Sequence, residues 1–88
     1  MAIAVIPSLL RKYTGGRERI EVHGRNVREI LAALDRQFPN FSANLMEDGD
    51  LKGSVAVSID GELATAGLLE PVGETSEVFF VPAIGGGF

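Results

Sequence analysis

An α+β fold, with one main helix packed across one face of a mixed sheet, is predicted by three features of the sequence. Residues 17–23 and 54–59 alternate polar with apolar side chains at a period of two, the pattern of half-buried strands. Val27, Ile30, Leu31, Leu34 and Phe38 recur at helical spacing and form one apolar stripe. The order is strand pair, helix, strand, short strand, strand, and 88 residues leave room for a single core. The helical stripe therefore needs the sheet to cover it.

Ile3, Val5, Ile6, Leu9 and Leu10 make residues 2–10 a mostly buried strand inside the sheet, bent or bulged at Pro7. Thr14-Gly15-Gly16 supplies a turn into a second strand, where Ile20 and Val22 alternate with charged residues. Gly24 ends this hairpin. Asn26, followed three positions later by Glu29, is a capping-box pattern that starts the helix, and Pro39 stops it. Residues 40–54 read as irregular and turn-rich, packing back on the core through Phe41, Leu45, Met46 and Leu51. Glu47-Asp48-Gly49-Asp50 forms the tip of that segment. Val55, Val57 and Ile59 then alternate with Ser54, Ala56 and Ser58 in a half-buried strand closed by the turn Asp60-Gly61. Glu62 to Ala64 form a short return strand, and Leu68, Leu69 and Val72 lie in a connection. The last strand is Glu77-Val78-Phe79-Phe80-Val81, ended by Pro82. This order makes residues 1–82 one domain, a ubiquitin-like β-grasp, and residues 83–88 a flexible glycine-rich tail.

With 45% hydrophobic and 23% charged residues, the composition fits a soluble globular domain and neither disorder nor a membrane span. The apolar run Met1 to Ile6 lacks a positive leading segment and is cut by Pro7, so no signal peptide is expected. A net charge of −4 argues against nucleic acid as the main partner and favours a basic protein instead. The sequence has no cysteine, which excludes disulfides, thiol nucleophiles and thiolate metal sites within it and agrees with a cytoplasmic location.

Few residues suggest chemistry. His23 is the lone histidine and has no carboxylate or hydroxyl placed to complete a triad. Glu47, Asp48 and Asp50 lack the spacing and closing Glu of a calcium loop, so a solvated turn is expected and no metal site. Gly15-Gly16 is followed by no Lys-Ser/Thr and no helix to cradle phosphate. No catalytic residue and no permanently bound cofactor are expected.

The last strand is apolar on both faces, with Val78 and Phe80 on one and Phe79 and Val81 on the other, although one helix covers only one face. Either the 40–54 segment or a strand twist covers the second face, or a partner docks there. The docking residues in that reading are Phe79, Phe80, Val81, Pro82 and Ile84. Beyond them stand Gly85, Gly86, Gly87 and Phe88. Ordering a glycine run costs more conformational entropy than ordering any other sequence, so this stretch does not belong to a packed core. Extended from Pro82 to Phe88 it spans about 20 Å, enough to enter another protein's active site. A terminal glycine carboxylate has no Cβ to obstruct attack. The same composition also suits a frayed end or a cloning remnant.

The segments IPSLLRKYTGG, NVREILAALDRQFP, DGDLKGSVAVSIDGE and EVFFVPAIGGG resemble, in order and spacing, the ThiS/MoaD-type ubiquitin-like sulfur carriers over essentially the whole chain. The resemblance implies a sulfur-carrying cosubstrate protein and not an enzyme. In that family a terminal Gly-Gly is adenylated by a ubiquitin-activating-type adenylyltransferase that uses ATP, then converted to a thiocarboxylate, and its sulfur passes to a biosynthetic acceptor enzyme making cysteine, methionine or a specialised metabolite. It also implies that the apolar sheet face near the C-terminus is the gripped surface. The departure is Phe88, which moves the terminal carboxylate by about 3.5 Å, comparable to a near-attack separation of reacting atoms. The resemblance thus implies a precursor trimmed by a zinc-dependent peptidase. Removal of Phe88 alone makes Gly87 the reactive residue, and removal of Gly87-Phe88 makes it Gly86. The small subunit of molybdopterin synthase and a ubiquitin-like protein modifier are the alternative functions.

Overall fold

The computed structural model describes residues 1–53 and 55–82. Among them the elements in chain order are β1 (Ala2–Val5), β2 (Arg19–Val22), α1 (Val27–Gln37), β3 (Met46–Glu47), β4 (Asp50–Leu51), β5 (Val55–Ile59), β6 (Glu62–Leu63) and β7 (Glu77–Pro82). Short 3₁₀ turns occupy Ser8–Tyr13, Ser42–Asn44 and Gly67–Leu69. The main sheet has the order β2-β1-β7-β5-β6, with β1 and β7 parallel at its centre and all other neighbours antiparallel. It is the mixed, single-helix β-grasp sheet expected from the sequence.

β1 is shorter than the apolar run suggests. It stops at Val5, and Ser8–Tyr13 turns as a 3₁₀ segment after the extended Pro7. Pro7 brings no N–H to a ladder, so the chain leaves the sheet there; Leu10 turns inward at 7% exposure while Leu9 stays 54% exposed. Thr14 closes the connection from a fully buried position, its hydroxyl donating to the carbonyl oxygen of Arg17 at 2.8 Å. Charged Arg19 and Glu21 then face out of β2, while Ile20 and Val22 enter the core.

Helix α1 begins as the sequence predicts. Asn26 accepts the Glu29 backbone N–H at 2.9 Å, and the Glu29 carboxylate accepts the backbone N–H of Arg25 at 2.8 Å, one residue earlier than in the standard box. Val27, Ile30, Leu31 and Leu34 are buried and pack against the sheet with Ala33. The chain enters α1 so close to it that a Cβ on Gly24 would lie 2.8 Å from the Ile30 nitrogen. Only glycine fits that approach.

Residues 40–53 are more regular than the turn-rich sequence of 40–54 suggests. Met46–Glu47 and Asp50–Leu51 pair as a small antiparallel hairpin, with Asp48 and Gly49 both at positive φ in its turn. The residues read as packing back do so: Phe41 and Leu45 are fully buried, and Met46 and Leu51 lie partly buried against the same cluster. Phe41 meets Phe80 edge-on, with ring centroids 6.5 Å apart. This contact puts the segment on the helix side of the sheet. The Asp60-Gly61 turn, with φ of 54° and 86°, joins β5 to β6 as predicted. β7 runs one residue further than predicted, to Pro82 opposite Val55.

Candidate functional site

β7 carries most of the residues expected to meet a partner, and its pleat sorts them. Val78 and Phe80 are 0% and 1% exposed, under α1 and Phe41. Val81 is 41% exposed and Phe79 half-buried on the opposite face. Phe80 is therefore not a docking residue, and its assignment as one is corrected. A run of apolar residues on one strand divides between two faces, and here Phe80 falls on the covered one.

The strand register extends the uncovered face across the whole sheet. Val5 lies opposite Arg19 and Phe79, and Ser58 lies opposite Phe79 and Leu63, so one row runs Arg19, Val5, Phe79, Ser58, Leu63. The next row pairs Ala56 with Val81. Leu63 is 68% exposed at the far edge of this face. Because Phe41, Leu45, Met46 and Leu51 pack into the core on the other side, they do not cover Phe79 and Val81. An ion pair between Arg19 and Glu77 borders the apolar residues diagonally across β1.

The face lies at the end of the molecule where β7 finishes. β1 and β7 run parallel, so the chain passes beyond Pro82 at the same end where β1 turns into Pro7. Ile84, Gly86, Gly87 and Phe88 lie outside the described residues, as does the whole segment 83–88 read as a tail.

Two titratable features stand at the opposite end. His23 is exposed in an open hollow of about 460 Å³ that it shares with Arg25, Glu29 and Glu74. Asp60 accepts the Glu77 backbone N–H at 2.9 Å and the Ser76 hydroxyl at 2.7 Å. These bonds, the backbone one foremost, hold its carboxyl below the usual carboxylate range. Asp60 thereby ties the β5–β6 turn to the start of β7. Glu47, Asp48 and Asp50 are exposed around the β3–β4 turn. Among the described residues no cluster of three His, Asp or Glu side chains is arranged to hold a metal ion.

Sequence reasoning missed the carboxylate tie at Asp60 and the buried hydroxyl at Thr14. The Asp-Gly and Thr-Gly-Gly turns signal a reversal, but neither says which distant backbone its side chain will meet.

Comparison with known proteins gives the same answer from sequence and from structure. The sulfur carrier proteins CysO of Mycobacterium bovis and Mycobacterium tuberculosis are each 26% identical over 87 residues, covering 93% of this chain and 94% of theirs. The Amycolatopsis orientalis BexX/CysO complex contains a chain with a TM-score of 0.93 and 27% identity, covering 99% of this chain and all of that one. Haloferax volcanii SAMP1, a small archaeal modifier protein, superposes with a TM-score of 0.76 at 27% identity, covering 98% of both chains. No described helix is long and apolar enough to cross a membrane. The ThiS family model matches residues 5–87, from the first strand through the diglycine, and the chain belongs to the ThiS family.

Proposed function

We propose that the protein is a sulfur carrier whose C-terminal glycine, once freed, is adenylated and converted to a thiocarboxylate that donates sulfur in biosynthesis. The observation that carries this reading is the family match, which runs through Gly86-Gly87, combined with a half-open apolar face beside the end of β7. The domain supplies a handle and a carboxylate, and the activating enzyme supplies catalysis.

In this mechanism a peptidase first hydrolyses the Gly87–Phe88 bond. A carboxylate oxygen of Gly87 attacks the α-phosphorus of ATP, pyrophosphate leaves, and an acyl-adenylate forms. Hydrosulfide then attacks the carbonyl carbon, AMP leaves, and the product is the thiocarboxylate. Glycine at both final positions leaves the carbonyl free of flanking side chains and lets the backbone pass a narrow channel. With Phe88 in place the carboxylate lies one residue too far along, about 3.5 Å from the reacting position. Cleavage before Gly87 would assign the same chemistry to Gly86.

Mass spectrometry tests the reading. Incubation with the peptidase, ATP, an activating enzyme and a sulfide source should give a trimmed product that gains the mass of sulfur in place of oxygen, and the trimmed mass fixes the register. Absence of that gain refutes the carrier role. Equal activation of the untrimmed chain refutes the precursor role alone.

The likeness to Haloferax volcanii SAMP1 supports a second reading, a protein modifier joined through its terminal glycine to lysines. Conjugates of higher mass in a cell extract, resistant to thiols, would favour it.

A further inference from the structure

The charges of this chain are segregated. Residues 53–88 contain Asp60, Glu62, Glu70, Glu74 and Glu77 but no Lys or Arg. Strand pairing places Arg19 and Lys52 toward the end where β7 finishes, while Arg25 and Arg28 stand at the start of α1. Arg19 stands opposite Val5, and Val55, opposite Pro82, donates its N–H to the Lys52 carbonyl oxygen at 2.9 Å. Arg11, Lys12 and Arg17 occupy the connection that follows β1 at this end. Arg17 lies 5.9 Å over the ring of Phe38, next to the last turn of α1 with Arg36. Glu18 pairs with Arg11 at 3.5 Å, and Glu77 pairs with Arg19. Lys12, Arg17, Arg36 and Lys52 form no ion pair among the described residues.

We propose that this cationic end is a docking collar for an acidic rim around the cleft that receives the diglycine. The proposal rests on the carrier reading above. Gly87 stands five residues beyond Pro82, so it lies within about 17 Å of it even when fully extended. A cleft that holds Gly87 therefore has its mouth on the side of the domain where β7 finishes, the end that carries Lys12, Arg17, Arg36 and Lys52. A basic rim would repel them, whereas an acidic rim steers encounter and sets the tail in line with the cleft.

The net charge of −4 suggests a basic partner, but it averages over the whole chain, and the five carboxylates of residues 53–88 contribute more than the net value on their own. The molecule measures 33 × 29 × 24 Å, and charges separated by more than about 8 Å are largely screened at physiological salt. The local sign therefore decides.

The test compares Lys12→Glu/Arg17→Glu with Glu62→Lys/Glu74→Lys, a charge change of equal size at the far end. Hexaglutamate titrated into the ¹⁵N-labelled full chain at about 20 mM NaCl should shift amides of residues 11–19, 36–38 and 52, and not those of 60–74. The trimmed carrier should be adenylated with kcat/KM about ten- to a hundredfold lower in the first variant, kcat at saturation holding within about twofold, and the second variant should match wild type. Added NaCl should depress kcat/KM of the wild type and not of the first variant. Unchanged kcat/KM in the first variant overturns the collar, as does hexaglutamate binding at the far end or nowhere. Concentration-dependent self-association lost in the first variant would assign the collar to a second copy, and single-stranded RNA bound at these residues would assign it to nucleic acid; either overturns the proposal. If the trimmed wild type is not adenylated at all, the carrier reading fails, while the peptide titration still decides what the collar attracts.

Discussion

At the level of single residues, Asp60 shows how a turn residue acquires a second task. Its positive φ suits a two-residue hairpin turn, which the Asp-Gly sequence announces. Its carboxylate also accepts the N–H of Glu77 and the hydroxyl of Ser76, 17 and 16 residues away, and the sequence does not announce that. A carboxyl held below its ordinary pKa in the fold stabilises the protein in full above the unfolded value, about 3.9, and loses that contribution as pH falls through the lower folded value. Asp60→Asn keeps an acceptor and tolerates the left-handed backbone, but it removes the charge. Its urea midpoint should lie below that of wild type above about pH 5, and the two curves should converge below about pH 4. A constant offset down to pH 2 would show that the charge contributes nothing. The helix cap, by contrast, was readable, because Asn26 and Glu29 act on backbone within four residues of themselves.

Among the elements, those set by local periodicity were legible and those set by distant contacts were not. The stripe of α1 and the alternation of β2 and β5 each state which face is buried within one short window. Leu9 and Leu10 extend an apolar run and so read as strand as far as residue 10, yet Pro7 removes the donor that a central strand needs and Ser8–Tyr13 turns as a 3₁₀ segment. The β3–β4 hairpin has only two residues on each side, too few for alternation to register. What fixes that region is Phe41, whose ring is buried against Phe80. Phe41→Ala leaves a cavity between α1 and β7 and should cost about 3–5 kcal/mol in denaturant unfolding. Because the residue holds this segment on the helix side, hydrogen exchange should quicken first at the Leu45 and Lys52 amides, which donate to the carbonyl oxygens of Ser42 and Leu45, each at 2.9 Å. A loss under 1 kcal/mol would mean that the segment is held elsewhere.

For the whole molecule, the sheet divides its labour by face, and β7 reports both halves. The sequence showed that two apolar faces exist and that one helix covers only one; it did not say which of Phe79 and Phe80 points outward. That depends on register against β1 and β5, a pairing between residues at least 19 positions apart. With the register known, neighbours on one strand have opposite expectations. Phe80→Ala empties the core and should lose about 3–5 kcal/mol of stability. Val81→Gln removes an exposed apolar contact without adding charge and should stay within about 1 kcal/mol of wild type. If the activating enzyme grips this face, Val81→Gln should forfeit part of the 1.5–3 kcal/mol that burying such a side chain gains, or about tenfold in kcat/KM for adenylation. Its salt dependence should match that of wild type, since the contact is apolar, whereas the charge reversals at Lys12 and Arg17 should alter it. Paired steady-state measurements at low and high NaCl thus separate face from collar. A Val81→Gln carrier that is folded and activated at the wild-type rate would leave the collar and the glycines as the only determinants of recognition.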